Sequence, residues 1–146
     1  MIERFQGSYE WLSNFAYCQV RLDGISYPSV EHAYQSAKST DPDWKRYCQT
    51  EKNPGKVKRE SRKVRLIPNW DSYKVQVMRQ LIDQKFDQQP FKNLLINTGN
   101  DHIQEGNTWN DVFWGVDLRS KSGKNILGNL IMEKRVRLFN ETNNMK

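Results

Sequence analysis

The boundary between Tyr27 and Val30 constrains the fold more than any other stretch of the chain. Pro28 disfavours helical geometry in the residue before it, so Tyr27 is predicted to end an extended segment. Ser29 then follows as a natural N-cap, and a helix is predicted to begin at Val30. The chain must change from strand to helix within a few residues, and the rest of the fold has to accommodate that turn.

The predicted helix places an apolar stripe beside a polar one. At helical pitch three apolar residues share one stripe: Val30, Ala33 and Ala37. Three polar residues share the neighbouring stripe: Glu31, Gln35 and Lys38. Glu31 lies in the first turn, where the free N–H groups and the helix dipole favour a carboxylate suited to stabilising positive charge or taking a proton from water. Dipole compensation by Glu31 and a solvated Lys38 explain the same spacing, so both interpretations stay open.

Turn and cap signals predict the elements in the first half of the chain. Asp23 and Gly24 lie between apolar residues, which predicts a β-hairpin over residues 20–27. Asp41 followed by proline predicts a second helix that ends near Thr50, and residues 53–55 are predicted to break the chain. The longest helix is predicted from Trp70 towards Pro90, because apolar residues repeat at helical spacing there.

The second half of the chain is predicted to hold shorter elements. A helix over residues 91–97 is closed by Gly99, and a short strand is expected at 101–105. Residues 112–116 are predicted as a buried extended segment, and a last amphipathic helix follows with Asn125 as its cap. These elements predict an α+β, mainly α-helical single domain over residues 1–139 with a small N-terminal β-hairpin, followed by a flexible C-terminal tail at 140–146.

Composition limits the classes of function. With only two cysteines, Cys18 and Cys48, and two histidines, the 146-residue chain has neither a disulfide framework nor metal-ligand spacing. We predict no metal site and no cofactor, and the Gly-rich phosphate motifs are absent as well. No run of apolar residues has signal-peptide or bilayer-spanning length, so we expect a soluble, cytoplasmic protein without a membrane partner.

The net charge of +6 and the pI of about 9.4 favour anionic partners. Phosphate-bearing ligands, nucleotides and nucleic acid fit this charge, although many proteins with a modest positive charge bind none of them. The basic run from Lys56 to Arg65 is typical of a solvated helix face, and it also holds the best candidates for a phosphate clamp. Those candidates are Arg62, Lys63 and Arg65.

Four parts of the chain, in this order, resemble the NADAR family, which is also called YbiA-like. They read LSNF at 12–15, YPSVEHAYQSAK at 27–38, SRKVRLIPNW at 61–70, and WNDVFWG at 109–115 with GKNILG at 123–128. The resemblance covers residues 5–139, and the order of the four parts is more specific than any one of them.

The resemblance implies an N-glycosidase with a mostly helical α+β fold. Its substrates would be either phosphoribosylated aminopyrimidine intermediates of riboflavin synthesis or ADP-ribose attached to guanine in nucleotides or DNA. The functional residues of the family fall on Glu31, Trp70 and Asp111, and the lysine proposed to form a Schiff base with opened ribose falls on Lys38. The chain departs from the family at Ser61, where glycine is frequent, and at Ile67, where a second arginine is common; these departures concern phosphate binding.

Cleavage of a ribose–base C–N bond passes through an oxocarbenium-like centre, which paired carboxylates can stabilise and supply with protons. Glu31 is the candidate for C1 stabilisation or water activation, and Asp111 for the leaving base or a ribose hydroxyl. Lys38 offers a covalent alternative that requires a neutral amine. Four further candidates contact the substrate: Trp70 and Trp109 by stacking on the base, and Asn14 and Asn125 as polar ligands.

Two other classes of function fit the same sequence. One is a non-catalytic module that binds ADP-ribose or nucleotides, and the other is a basic nucleic-acid-binding protein. The presence of all four family residues favours the enzyme, because a binding module would be free to lose its acids. The oligomeric state is not predicted.

Overall fold

The structure is a computed structural model that describes residues 1–144, and Met145 and Lys146 lie outside the described residues. Its contacts divide the chain into two compact units, one formed by residues 14–85 and the other by residues 1–13 with the residues from Phe86 onward. Helices dominate and the strands are short, which confirms the predicted mainly α-helical α+β fold. The single domain expected over residues 1–139 stays a prediction.

The 14–85 unit consists of a β-hairpin and a series of helices. Its elements are β1 (Val20–Leu22), β2 (Ile25–Tyr27), α1 (Val30–Ser36), α2 (Pro42–Thr50), α3 (Pro54–Glu60), a 3₁₀ turn at Ser61–Lys63, and α4 (Trp70–Phe86), which ends just beyond the unit. The two strands pair in antiparallel register, with Val20 opposite Tyr27. Asp23 and Gly24 both have positive φ, as a tight two-residue hairpin turn requires, so the predicted hairpin is confirmed.

The predicted starts of α1 and α2 are both confirmed by side-chain caps. Ser29 Oγ accepts a hydrogen bond from the His32 N–H at 3.1 Å. Asp41 Oδ1 accepts one from the Asp43 N–H at 2.9 Å, and proline occupies the first turn of α2. Each cap satisfies a backbone donor that the first turn of a helix leaves unpaired, so local chemistry is enough to set these boundaries.

The segment predicted as a chain break is instead the start of α3. Asn53 Oδ1 accepts a hydrogen bond from the Gly55 N–H at 2.8 Å, and Pro54 takes the first helical position. Asparagine and proline suit these two positions as well as they suit a loop, so the prediction at residues 53–55 was wrong. The helix carries the first part of the basic run.

Helix α1 is buried around its whole circumference. All seven of its residues are buried, because the hairpin, α2 and α3 pack against it. The predicted apolar and polar stripes therefore do not differ in burial at Glu31 and Gln35, which lie inside the unit. Polar groups of the helix are paired internally; for example, Trp44 Nε1 donates to the Gln35 carbonyl oxygen at 2.9 Å. A helix that buries so many polar groups is unusual for a packing element and marks a functional candidate.

The other unit also combines helices with a two-stranded sheet. Its elements are an irregular 3₁₀ helix at Gly7–Leu12, α5 (Phe91–Ile96), β3 (Gly106–Asn107), β4 (Val116–Asp117) and α6 (Ile126–Asn144). The strands pair in parallel, and α5 packs against α6. Gly106 has no space for a Cβ, since that atom would clash with the Glu3 carbonyl oxygen. The predicted closure of α5 by Gly99 in a left-handed conformation is confirmed.

Two predicted extended segments are wrong in their bounds. At residues 101–105 there is only a single bridge between Ile103 and Ile2, and the strand begins at Gly106. At residues 112–116 only Val116 belongs to a strand, and Val112 is exposed. The loop bends there because Asp111 bonds to the backbone that follows it, as described below.

Helix α6 has 19 residues and α4 has 17, so the prediction that α4 is the longest helix was wrong. The additional length of α6 comes from residues 140–144, which were predicted as tail. Thr142 Oγ1 donates to the Leu138 carbonyl oxygen at 2.9 Å in this last part. Within residues 1–144, none of the helices has the length and apolar character needed to cross a bilayer.

Candidate active site

The side chain of Glu31 is held inside the 14–85 unit with only 7% of its surface exposed. Its backbone N–H donates to the Asn14 carbonyl oxygen at 3.1 Å, which ties the start of α1 to the LSNF segment. Its carboxylate oxygen Oε1 accepts a hydrogen bond from Gln35 Nε2 at 2.7 Å, one helical turn further on. The backbone and the side chain are both fixed, so the carboxylate is pre-positioned.

Lys38 lies just beyond the end of α1 and is half-buried. Its Nζ is 3.4 Å from Ser61 Oγ and 5.7 Å from the centre of the Tyr34 ring. Burial lowers the pKa of the Lys38 amine, the negative charge of Glu31 opposes this, and the positive charges of Lys58, Lys74 and Arg62 lower it further. Both causes that a nucleophilic lysine requires, burial and nearby cations, act on this amine.

Trp70 joins the same group of residues through an aromatic contact. It is buried at the start of α4, with its ring centre 5.3 Å from that of Tyr34 in a tilted arrangement. Tyr73, one turn along α4, lies at 6.5 Å edge-on to the indole. The Tyr34 ring therefore lies near both the Trp70 indole and the Lys38 amine, and it links the two.

The three basic candidates are all exposed, and one of them acts on Lys38. Arg62, Lys63 and Arg65 are exposed, and Lys63 pairs with Glu60 at 3.3 Å. Arg62 acts on the pKa of Lys38 through its charge, as Lys58 does. Lys58 Nζ also lies 5.9 Å from the centre of the Phe15 ring. Positive charge is thus concentrated around Lys38, which suits an anionic ligand.

Asn14 is buried beside Glu31 and only part of its side chain is paired. Its Nδ2 donates to Met78 Sδ at 3.5 Å, and its Oδ1 has no hydrogen-bond donor among residues 1–144. A buried carbonyl oxygen without a donor is costly, so an unpaired one next to a candidate catalytic group requires an explanation.

Asp111 belongs to the other unit, where it organises its own loop. Its Oδ1 accepts hydrogen bonds from the Phe113 and Trp114 N–H groups at 3.1 and 2.9 Å. Its backbone N–H donates to Asn107 Oδ1 at 3.0 Å, and its carbonyl oxygen accepts from Asn107 Nδ2 at 2.9 Å. These bonds fix the carboxylate through Oδ1, and they make Asp111 a structural residue whatever else it does.

The two remaining candidates in that unit differ in exposure. Trp109 is 57% exposed, so more than half of the residue faces solvent. Asn125 is buried and its amide is committed to the backbone, with Nδ2 donating to the Ile103 carbonyl oxygen at 3.0 Å and Oδ1 accepting from the Glu105 N–H at 2.9 Å. The Asn125 side chain therefore joins the start of α6 to the backbone of residues 103–105, and it does not cap the helix.

His32 follows Glu31 and is buried in a neutral form. Its Nε2 lies 2.7 Å from the Glu51 carbonyl oxygen, which can only accept, so Nε2 carries the proton. Nδ1 then accepts from the Ser29 hydroxyl at 2.6 Å. Burial lowers the pKa of His32, against the opposing effects of the Glu51 carbonyl and carboxylate. The ring therefore ties the start of α1 to the end of α2.

This burial predicts a pH dependence of stability. Because the pKa of His32 is lower in the folded state, the unfolded chain binds the extra proton first as pH falls. The stability is fully present above the ordinary value of 6.5 and is lost as pH falls from there towards the folded pKa. Urea unfolding of the wild type should show a decrease of at most about 1.4 kcal/mol per pH unit in that window.

The decrease in the free energy of unfolding should be smaller in His32→Gln, because glutamine has no titratable group. His102→Gln is the matched control, since His102 is exposed, and it should keep the wild-type pH dependence. A wild type and a His32→Gln variant with identical pH profiles would contradict the assignment of a buried neutral ring.

Four candidates from the sequence lie in the 14–85 unit: Glu31, Lys38, Trp70 and Asn14. The sequence assigned no role to the residues that contact them. Gln35, one turn after Glu31, donates a hydrogen bond to its carboxylate, and the Tyr34 ring contacts Trp70. Ser61 Oγ lies within hydrogen-bond distance of Lys38 Nζ. Helical spacing from Glu31 was the available signal for Gln35 and Tyr34.

Among residues 1–144, no group of three or more His, Cys, Asp or Glu side chains is arranged to hold a metal ion.

Comparison with known proteins gives consistent matches over most of the chain. The NADAR domain family matches residues 3–139. The N-glycosidase YbiA of Shigella boydii is 36% identical over 133 residues, which cover 89% of this chain and 82% of that protein. A riboflavin biosynthesis protein of Vibrio vulnificus is 31% identical over 134 residues, covering 90% of this chain but only 36% of that longer protein.

A solved structure extends this similarity to the fold. The NMR structure of the Escherichia coli protein YbiA superposes with a TM-score of 0.82 at 32% sequence identity, covering 97% of this chain and 89% of that one. The α+β fold, the buried carboxylate with its neighbouring amine, and these relatives define a glycosyl hydrolase. Within that class the chain belongs to the NADAR domain family.

Proposed function

We propose that the chain cleaves the N-ribosidic bond of a phosphorylated N-riboside. The two substrate classes are ADP-ribose attached to guanine in a nucleotide or in DNA, and a phosphoribosylaminopyrimidine of riboflavin synthesis. The observation that carries the proposal is that a buried carboxylate, Glu31, lies close enough to act electrostatically on an amine, Lys38, whose pKa is lowered by burial. The relative named for riboflavin biosynthesis supports the second substrate class.

In direct hydrolysis, Glu31 stabilises positive charge at C1 or takes a proton from the attacking water. A carboxylate that accepts from Gln35, on a residue whose backbone N–H donates to the Asn14 carbonyl, needs no rearrangement when that charge develops, which is the condition for effective electrostatic catalysis. Asp111 is proposed to assist the leaving base or to bind a ribose hydroxyl.

The covalent alternative uses the nitrogen of the glycosidic bond to open the sugar ring. The nitrogen lone pair forms a C1=N bond while the ring C1–O4 bond breaks, and the ring oxygen takes a proton. Neutral Lys38 adds to C1, and the base amine leaves with a proton, so that Lys38 holds C1 as an imine. Water then adds to C1 and releases the sugar aldehyde and the lysine, with no change of oxidation state. Glu31, whose charge acts on Lys38, is the group proposed to carry the protons.

The surrounding residues fit a substrate that carries phosphate and a flat base. Arg62 and Lys58 place positive charge near Lys38, and Lys63 and Arg65, which follow Arg62 in the sequence, add exposed cations. Trp70 and Trp109 are proposed to stack on the base, a contact worth about 1–3 kcal/mol for each base.

The test is release of the base. Purified protein is incubated separately with ADP-ribosylated guanosine and with a phosphoribosylaminopyrimidine, and the products are separated by chromatography. We expect the free base from at least one of them. Release from neither, together with binding of ADP-ribose, would favour the non-catalytic module, and a steep salt dependence of DNA binding without base release would favour the nucleic-acid-binding protein.

A further inference from the structure

The amide of Gln35 has one end paired and the other unpaired. Its Nε2 donates to Glu31 Oε1 at 2.7 Å, and an ionised carboxylate can only accept, so the amide nitrogen must face it. The oxygen Oε1 consequently faces away from Glu31. The residue is only 3% exposed, and Oε1 has no hydrogen-bond donor among residues 1–144.

A second unpaired acceptor lies in the same cluster. Asn14 gives its backbone carbonyl to the N–H of Glu31, and its buried side-chain oxygen Oδ1 also has no donor within residues 1–144. Buried polar groups of native proteins are almost always paired, so unpaired oxygens on two residues that both bond to Glu31 are not expected from folding alone. They are accounted for if a ligand rich in O–H or N–H donors completes them.

We propose that Gln35 Oε1 accepts a hydrogen bond from the 2-hydroxyl of the substrate ribose, which makes Gln35 the residue that distinguishes ribosides from 2-deoxyribosides. The inference rests on the proposed function, in which Glu31 faces C1 of the sugar. An amide that donates to Glu31 at 2.7 Å holds its oxygen within roughly 5 Å of that carboxylate. The 2-hydroxyl is on the carbon next to C1 and so lies beside the amide.

This contact has a consequence for the rate. Hydrogen bonds to the 2-hydroxyl strengthen as positive charge develops at the sugar during glycoside cleavage. A 2-deoxyribose leaves Oε1 buried and unpaired, and sites built to bond a hydroxyl strongly reject analogues that lack it. The preference should therefore be large and should depend on the acceptor oxygen.

The experiment compares kcat/KM for an N-riboside and its 2-deoxy counterpart in three proteins. The wild type should prefer the riboside by at least about a hundredfold. Gln35→Met has a similar length but no acceptor, and its preference should fall below about tenfold. Gln35→Glu keeps an oxygen at the same reach, and it should retain most of the preference although its turnover is lower. Use of one substrate pair throughout cancels the different intrinsic reactivities of the two sugars.

The outcomes separate this inference from the proposed function. If Gln35→Met slows both substrates equally, Gln35 only positions Glu31 and the inference is overturned. If the wild type releases no base from any N-riboside, the proposed function fails instead. For inactive proteins, calorimetry with ribose 5-phosphate and 2-deoxyribose 5-phosphate decides: equal affinities in the wild type overturn the inference, and a preference that Gln35→Met removes supports it.

Discussion

Glu31→Gln is expected to lower base release by about a thousandfold or more while ligand affinity stays within about tenfold of the wild type. The carboxylate acts on charge that develops only in the transition state, so its removal should affect kcat rather than binding. Glutamine has the same shape, and its carbonyl oxygen can still accept the hydrogen bond from Gln35 Nε2. The fold of α1 should consequently be unchanged.

The matched control is Glu60→Gln, the same substitution in the same unit. Glu60 pairs with Lys63 near the surface and is not among the groups that act on Lys38. Base release, measured by chromatography, should stay close to wild type in this variant, and thermal unfolding should be similar in both. Normal turnover in Glu31→Gln would contradict the role assigned to Glu31, and loss of ligand binding would show that the residue holds the substrate instead.

The sequence predicts elements correctly where the cause of the structure is local. The turn at Asp23 and Gly24, the caps at Ser29 and Asp41, and the closure at Gly99 all depend on the conformation or hydrogen bonding of a few neighbouring residues. The same chemistry misled the prediction at Asn53, because asparagine followed by proline suits a helix start as well as a break.

Burial of the candidate site could not be predicted, because it depends on elements distant in sequence. The stripe of Glu31, Gln35 and Lys38 reads as the polar side of an ordinary helix, and periodicity carries no information on whether other helices cover it. The structure buries Glu31 and Gln35 and leaves Lys38 half-buried. Sequence spacing alone does not predict contacts between residues of the site, such as the contact of Tyr34 with Trp70.

The loop around Asp111 illustrates a third limit. Its sequence, rich in aromatic residues, predicts a buried extended segment after residue 111, but the Asp111 side chain bonds the backbone of Phe113 and Trp114 and bends the chain instead. A sequence motif does not distinguish an aspartate that holds a loop from one that performs catalysis. The family resemblance predicts a functional aspartate at position 111, and the geometry shows that the Asp111 side chain holds the loop.

Lys38→Arg is expected to abolish covalent trapping of the sugar and to lower base release by at least about a hundredfold. Arginine keeps the positive charge and much of the length, but its guanidinium stays protonated and cannot form an imine. In the wild type, borohydride added during turnover should reduce the imine and leave a stable sugar adduct, detected by mass spectrometry of peptides. Lys52→Arg, at an exposed position with no assigned role in the site, is the control and should retain the adduct.

A second lysine with a lowered pKa, Lys85, provides a comparison for the position of the adduct. Burial also lowers the pKa of Lys85, to about 7, but this side chain is completely buried, so a sugar cannot reach it. The adduct should therefore map to Lys38 and not to Lys85. Trapping should increase with pH and reach half of its maximum below the ordinary lysine value of 10.5, because the lowered pKa of Lys38 supplies neutral amine earlier. Full base release by Lys38→Arg, with no adduct in the wild type, would exclude the imine and assign the reaction to direct attack of water assisted by Glu31.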